Sequence, residues 1–131
     1  MNGTGTASRT FPATPDALPE AREFLRERAR DADLTEALTD DLILAVSEAC
    51  ANAVLHSGSP EFDVEWREGR DVVEVLVRDH GAFKRRVRVA SLEGPGGFGI
   101  PLMTALTDQL EIREGTSSEP GTRVRLIKRR P

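Results

Sequence analysis

An α+β two-layer sandwich, with a mixed and mostly antiparallel sheet covered by helices, is the fold this sequence predicts. Three observations carry that expectation. Phe62, Val64 and Trp66 alternate with polar residues, and Val73, Val75 and Val77 do the same after a Glu68-Gly69-Arg70-Asp71 turn, which is the pattern of a β-hairpin with one buried face. Between Thr35 and His56 the apolar residues recur with a helical period and stop at Gly58, a residue suited to the left-handed conformation that ends helices. The remaining segments complete the order β, α, α, β, β, loop, α, β, β, in which strands and helices are not regularly interleaved.

The elements follow from the N-terminus. Residues 1–8 are small and polar and read as a flexible N-terminus, leaving residues 9–131 as a single domain. Arg9-Thr10-Phe11 is a short strand. Thr14-Pro15-Asp16 has the form of a helix start, with Thr14 as cap and Pro15 at the first helical position, and the helix runs to about Arg30 with Leu18, Ala21 and Leu25 inward. In the second helix Leu42, Val46, Ala49 and Ala53 share one side, and Leu44 and Leu55 form another. Gly81 to Gly97 holds no period and reads as a long loop carrying the basic cluster Lys84, Arg85, Arg86 and Arg88. Ile100 to Thr107 is a short helix, and strands follow around Leu110-Ile112 and Thr122-Val124-Leu126.

Composition narrows the function. With 38% hydrophobic and 31% charged residues, the chain has the balance of a globular protein that can bury a core. No run approaches the roughly 18–20 apolar residues of a spanning helix, and Met1 to Thr10 lacks the apolar stretch of a signal peptide, so a cytoplasmic location without membrane binding is expected. A net charge of -4 argues against direct nucleic-acid binding. The one cysteine, Cys50, falls in an apolar helical pattern and reads as a core residue, and with only His56 and His80 beside it a structural zinc site is not expected.

Four short motifs carry chemistry. Glu48 and Asn52 are four residues apart and therefore stack on one face of an otherwise apolar helix, where they are either partnered by another helix, solvated, or aimed at a ligand. Asp79-His80-Gly81 ends an apolar strand, as a plain turn or as an acceptor for a purine amino group with room beside it for a ring. Gly94-Pro95-Gly96-Gly97-Phe98-Gly99 leads into a helix, whose free N–H groups suit phosphate. Gly94, Gly96 and Gly99 also satisfy G-x-G-x-x-G, but the helix that follows is short and no strand-ending acid lies about twenty residues on, which weighs against a dinucleotide fold. Gly121-Thr122 opens the last strand.

In this order and approximate spacing the four motifs resemble the N, G1, G2 and G3 boxes of the GHKL ATPase superfamily, and within it the anti-sigma-factor serine/threonine kinases. The resemblance spans Thr10-Phe11-Pro12-Ala13 to Lys128 and implies a Bergerat, histidine-kinase-like ATP-binding domain. It implies that Glu48 acts as general base, that Asn52 binds magnesium and nucleotide, and that Asp79 and Gly81 meet adenine. Gly97, Phe98 and Gly99 would wrap the phosphates, and Thr122 would support the adenine end. The implied cofactors are ATP and Mg. The implied partners are an anti-sigma-factor antagonist, which receives the γ-phosphate, and a sigma factor, with a homodimer open as an assembly. Two positions depart from the pattern: Phe83 stands at the second glycine of the first glycine box, and Pro95-Gly96 stands where relatives carry a basic residue. A module of the same fold that holds nucleotide and sequesters a partner without transfer is the alternative.

Overall fold

A computed structural model describes residues 5–81, 99–116, 118 and 120–130 of the chain. Its elements are β1 (Gly5–Pro12), α1 (Ala17–Asp31), α2 (Glu36–His56), β2 (Glu61–Glu68), β3 (Val72–Asp79), α3 (Gly99–Leu106), β4 (Gln109–Glu114) and β5 (Thr122–Arg129). The expected loop with its Lys84 to Arg88 cluster, and Phe83, Gly97 and Phe98, lie outside the described residues.

The hairpin forms where alternation places it. Gly69 donates its N–H to the Val72 carbonyl across the turn at 2.8 Å, and β2 then pairs β3 so that Phe62 faces Asp79, Val64 faces Val77 and Trp66 faces Val75. Phe62, Val64, Trp66, Val73, Val75 and Val77 are all buried, which fixes the register because a slip of one residue would turn every one of them to solvent. The strand order is β1-β2-β3-β5-β4, and all four pairings are antiparallel. The sheet among these strands is therefore not mixed, because β4 and β5 form a second hairpin, closed by Gly115 N–H to Gly121 carbonyl at 2.6 Å, and its returning strand seats against β3.

Two further expectations change. Residues 5–8, assigned to a flexible N-terminus, are the first half of β1 and pair with Glu68 to Glu65. Gly5-Thr6-Ala7-Ser8 has little apolar side chain to signal a strand, but an edge strand is held by main-chain bonds that need none. Helix α1 starts at Ala17 and not at Pro15, since Thr14 accepts the Ala17 N–H through its carbonyl in a preceding turn and Asp16, the residue before the helix, makes no side-chain cap.

The three helices among the described residues pack on one face of the sheet. Helix α2 lies in the middle, against β2, β3 and β5, with α1 on one flank over β1 and β2 and α3 on the other over β4. Its N-terminus is capped by Thr35, whose hydroxyl accepts the Leu38 N–H at 3.2 Å. Leu42, Ile43, Ala45, Val46, Ala49, Cys50 and Ala53 enter the core together with Phe11, Leu25, Trp66, Met103 and Leu126. Leu44 and Leu55, predicted as a second apolar sector, are instead 47% and 68% exposed. They share the turn-by-turn line of α2 that carries Glu48 and Asn52, so this side of the helix faces away from the sheet.

Candidate functional site

The site is assembled where the C-terminal end of α2 meets the C-terminal end of β3. Ser57 ends the helix in αR geometry, and Gly58 follows at φ +70°, the left-handed turn expected of it. Two buried serines then tie the helix end to the strand end. Ser57 Oγ donates to the Ala53 carbonyl at 2.6 Å and accepts the Ser59 N–H at 2.9 Å. Ser59 Oγ donates to the Glu61 carbonyl at 2.5 Å and accepts the His80 N–H at 3.2 Å. Sequence reasoning missed both serines, and their only signal is the His56-Ser57-Gly58-Ser59-Pro60 run after the helix.

This clamp leaves no space for a side chain at Gly81. A Cβ there would overlap the Ser57 carbonyl, and one at Gly121, which sits at φ +132°, would overlap the Asp79 carbonyl. Both glycines are thus required by backbone approach between elements, and Gly81 has a packing reason that was not visible in the sequence.

Asp79 is the centre of the arrangement. It occupies the last position of β3 on the helix-covered face and is 6% exposed. Its Oδ1 accepts the N–H groups of Gly81 and Thr122, each at 3.2 Å, which holds the carboxylate at the junction of β3 and β5. Its Oδ2 has no hydrogen bond among the described residues and remains an acceptor for a ligand N–H. Burial pushes the carboxyl pKa up, and the two N–H donors and neighbouring His80 pull the other way without cancelling it. His80 is itself held at 3.0 Å by Asp63, whose other oxygen accepts the Thr10 hydroxyl at 2.8 Å.

Asn52 and Glu48 lie one and two turns back along α2 from this junction, about 7 and 13 Å by helical rise from Ser57. Asn52 Nδ2 is buried and has no hydrogen-bond partner among the described residues. Glu48 is half-buried, with no ion pair or hydrogen bond among them. The Asn52 amide oxygen and the Glu48 carboxylate are of the hard oxygen type that magnesium takes, and the unpartnered Nδ2 is a donor of the type a phosphate oxygen accepts from. Thr122 opens β5 opposite Asp79, and Gly99 opens α3. The structure thus brings Asp79, Gly81 and Thr122 together and sets Asn52 and Glu48 on the adjoining helix, while Gly97 and Phe98 lie outside the described residues. Cys50 is buried, with its thiol pushed up to about 12 by that burial, and plays no part in the site.

A family model described as histidine kinase-like ATPase domain matches residues 11–128. Among curated proteins, the serine-protein kinase RsbW of Oceanobacillus iheyensis is 30% identical, over 77% of this chain and 74% of that protein. The serine-protein kinase RsbW of Bacillus velezensis is 31% identical over 81% and 76%, and that of Listeria innocua 31% over 78% and 75%. A crystal structure of RsbU and RsbW domains from Mycobacterium tuberculosis superposes with a TM-score of 0.75 at 24% identity, covering 98% of this chain. The chain spans 33% of that protein's length, and at this identity the match speaks for the fold alone.

Proposed function

The chain belongs to the histidine kinase-like ATPase domain family, with RsbW serine-protein kinases among its relatives, and from this premise we propose that it is an ATP-dependent protein serine/threonine kinase of the anti-sigma-factor type. The observation that carries the reading is the pairing of an unengaged Glu48 and Asn52 on α2 with the free Oδ2 of Asp79. A helix that buried this pair for structure would have given each a partner.

Asp79 would accept a hydrogen bond from the adenine amino group through Oδ2, while Gly81 and Thr122 keep its other oxygen fixed. Asn52 would hold magnesium, and the sequence motif assigns the phosphates to Gly97, Phe98 and Gly99, the first two of which lie outside the described residues. Bound Mg-ATP supplies the phosphoryl group and neutralises its charge, so the protein's part is positioning and electrostatics. Glu48 takes the proton of the incoming hydroxyl or orients it. The incoming hydroxyl arrives on a protein surface, as the serine-protein kinases among the relatives imply. We assign that surface to a small anti-sigma-factor antagonist, with a sigma factor as the second, regulated partner.

The test is transfer of label from radioactive ATP to an antagonist that co-purifies with the chain. Label is expected on serine or threonine, with none on His56 or His80, and Glu48→Gln is expected to slow transfer by roughly 10² to 10⁴-fold while nucleotide affinity is kept. If the antagonist binds tightly and stays unlabelled with Glu48 intact, the chain is a nucleotide-gated binding module.

A further inference from the structure

The helix-free face of the sheet carries a charge arrangement that the nucleotide site does not use. Arg78 on β3 faces Arg123 on β5, and Arg123 faces Arg113 on β4, so three guanidinium side chains stand in one cross-strand row. At the usual strand spacing the row is about 10 Å wide. Like charges placed directly opposite destabilise a sheet. An anion bound across them would offset that repulsion.

No carboxylate pairs with Arg78 or Arg123 among the described residues. Two other arginines of this face are paired: Arg67 with Glu65 at 2.9 Å, and Arg125 with Glu74 and, at 3.4 Å, with Glu111, while Arg129 is exposed at the far end of β5. Arg113 reaches Glu111 only at 3.9 Å, sharing it with Arg125. Arg78 and Arg123 are exposed and make no ion pair among the described residues. The row continues from Arg78 to Asp63, but that carboxylate is committed to Thr10 and His80. A depression of about 480 Å³ opens at the strand ends, where Arg78, His80, Arg113 and Arg123 meet Glu114 and the Asp79, Gly121 and Thr122 of the proposed nucleotide site.

We propose that the row Arg78, Arg123 and Arg113 is a docking site for an acidic, carboxylate-rich segment of a partner protein. The complement is short, because Glu111, Glu74 and Glu65 border the row and would repel a polyanion that ran across the whole face. Planar guanidinium groups bind carboxylates through paired N–H donors, which gives the row geometric as well as charge selectivity. By register the three arginines belong to the opposite face of the sheet from the Asp79 side chain, the depression at the strand ends touching both, and the assignment does not rest on phosphoryl transfer.

Fluorescein-labelled hexaglutamate, titrated with the full chain at low and high salt, tests it. Salt-sensitive binding is expected, weakened at least about tenfold in Arg78→Thr/Arg123→Thr, with Mg-ATP affinity unchanged. Because the substitutions relieve like-charge opposition, the double variant should melt no lower than the wild type. Absence of hexaglutamate binding at low salt, or equal affinity in the double variant, overturns the assignment. So does tighter binding of hexathymidylate through the same arginines, which would give the row to phosphate. Self-association that disappears in the double variant, with no peptide binding, would overturn it in favour of a second copy of the chain.

Discussion

Asp79 is asked to be buried and ionised at once. Burial raises its pKa, while Gly81 and Thr122 N–H groups favour the charged form, and burial prevails. A carboxyl whose folded pKa is raised binds its proton more tightly in the native state, so its contribution to stability is complete below the unfolded pKa and is lost as pH rises through the folded one. Asn in its place can still accept both N–H bonds through one oxygen. Asp79→Asn is therefore expected to fold, and its stability relative to wild type should increase from about pH 4 upward, as urea titrations over a pH series would measure. The same variant should bind Mg-ATP weakly, with a loss of about 1 to 3 kcal/mol for the missing acceptor. Calorimetry that returned wild-type affinity would remove Asp79 from the adenine contact. At this scale the sequence was informative about Asp79-His80-Gly81, because an acid and a glycine ending an apolar strand are local signals. It was silent about Ser57 and Ser59, whose hydroxyls acquire roles only when the strand end arrives beside the helix end.

Between elements, the decisive contacts are backbone against backbone. Gly81 touches the turn after α2, and Gly121 touches the end of β3, so α2, β3 and β5 are locked at one point. Adding a methyl group at Gly81 forces that junction apart, and Gly81→Ala is expected to cost about 1 to 3 kcal/mol and to weaken nucleotide binding by displacing the Gly81 N–H from Asp79. Gly69→Ala is the control, since its Cβ would approach the Val72 carbonyl only to 3.8 Å. Equal stability of the two variants in urea unfolding would show that the junction yields easily. Helix existence and its core side followed from periodicity, and Leu42, Val46, Ala49 and Ala53 are buried as a helical stripe demands. Leu44 and Leu55 misled because periodicity records an apolar side chain and not whether another element covers it.

For the molecule as a whole, strand alternation made the α+β layering legible, but not the order β1-β2-β3-β5-β4, because placing β5 beside β3 depends on a long-range pairing that no local pattern encodes. The box spacing pointed to the residues proposed for the nucleotide site, and the arginine row was hidden for the opposite reason: Arg78, Arg113 and Arg123 come from separate strands and meet only through register. A ligand that binds only the folded chain raises its melting temperature, and Mg-ATP at a hundredfold excess over its dissociation constant should do so by on the order of 10 °C, with no rise for NAD. Equal stabilisation by NAD would show that the site does not select a nucleoside triphosphate. Strand β3 presents Arg78 on the open face and Asp79 on the covered one, so neighbouring residues serve opposite sides of one sheet. Adjacent codons should consequently yield separation-of-function alleles, one that abolishes nucleotide use with partner capture intact and one that does the reverse, and a two-codon saturation library would be enough to disentangle the two activities genetically.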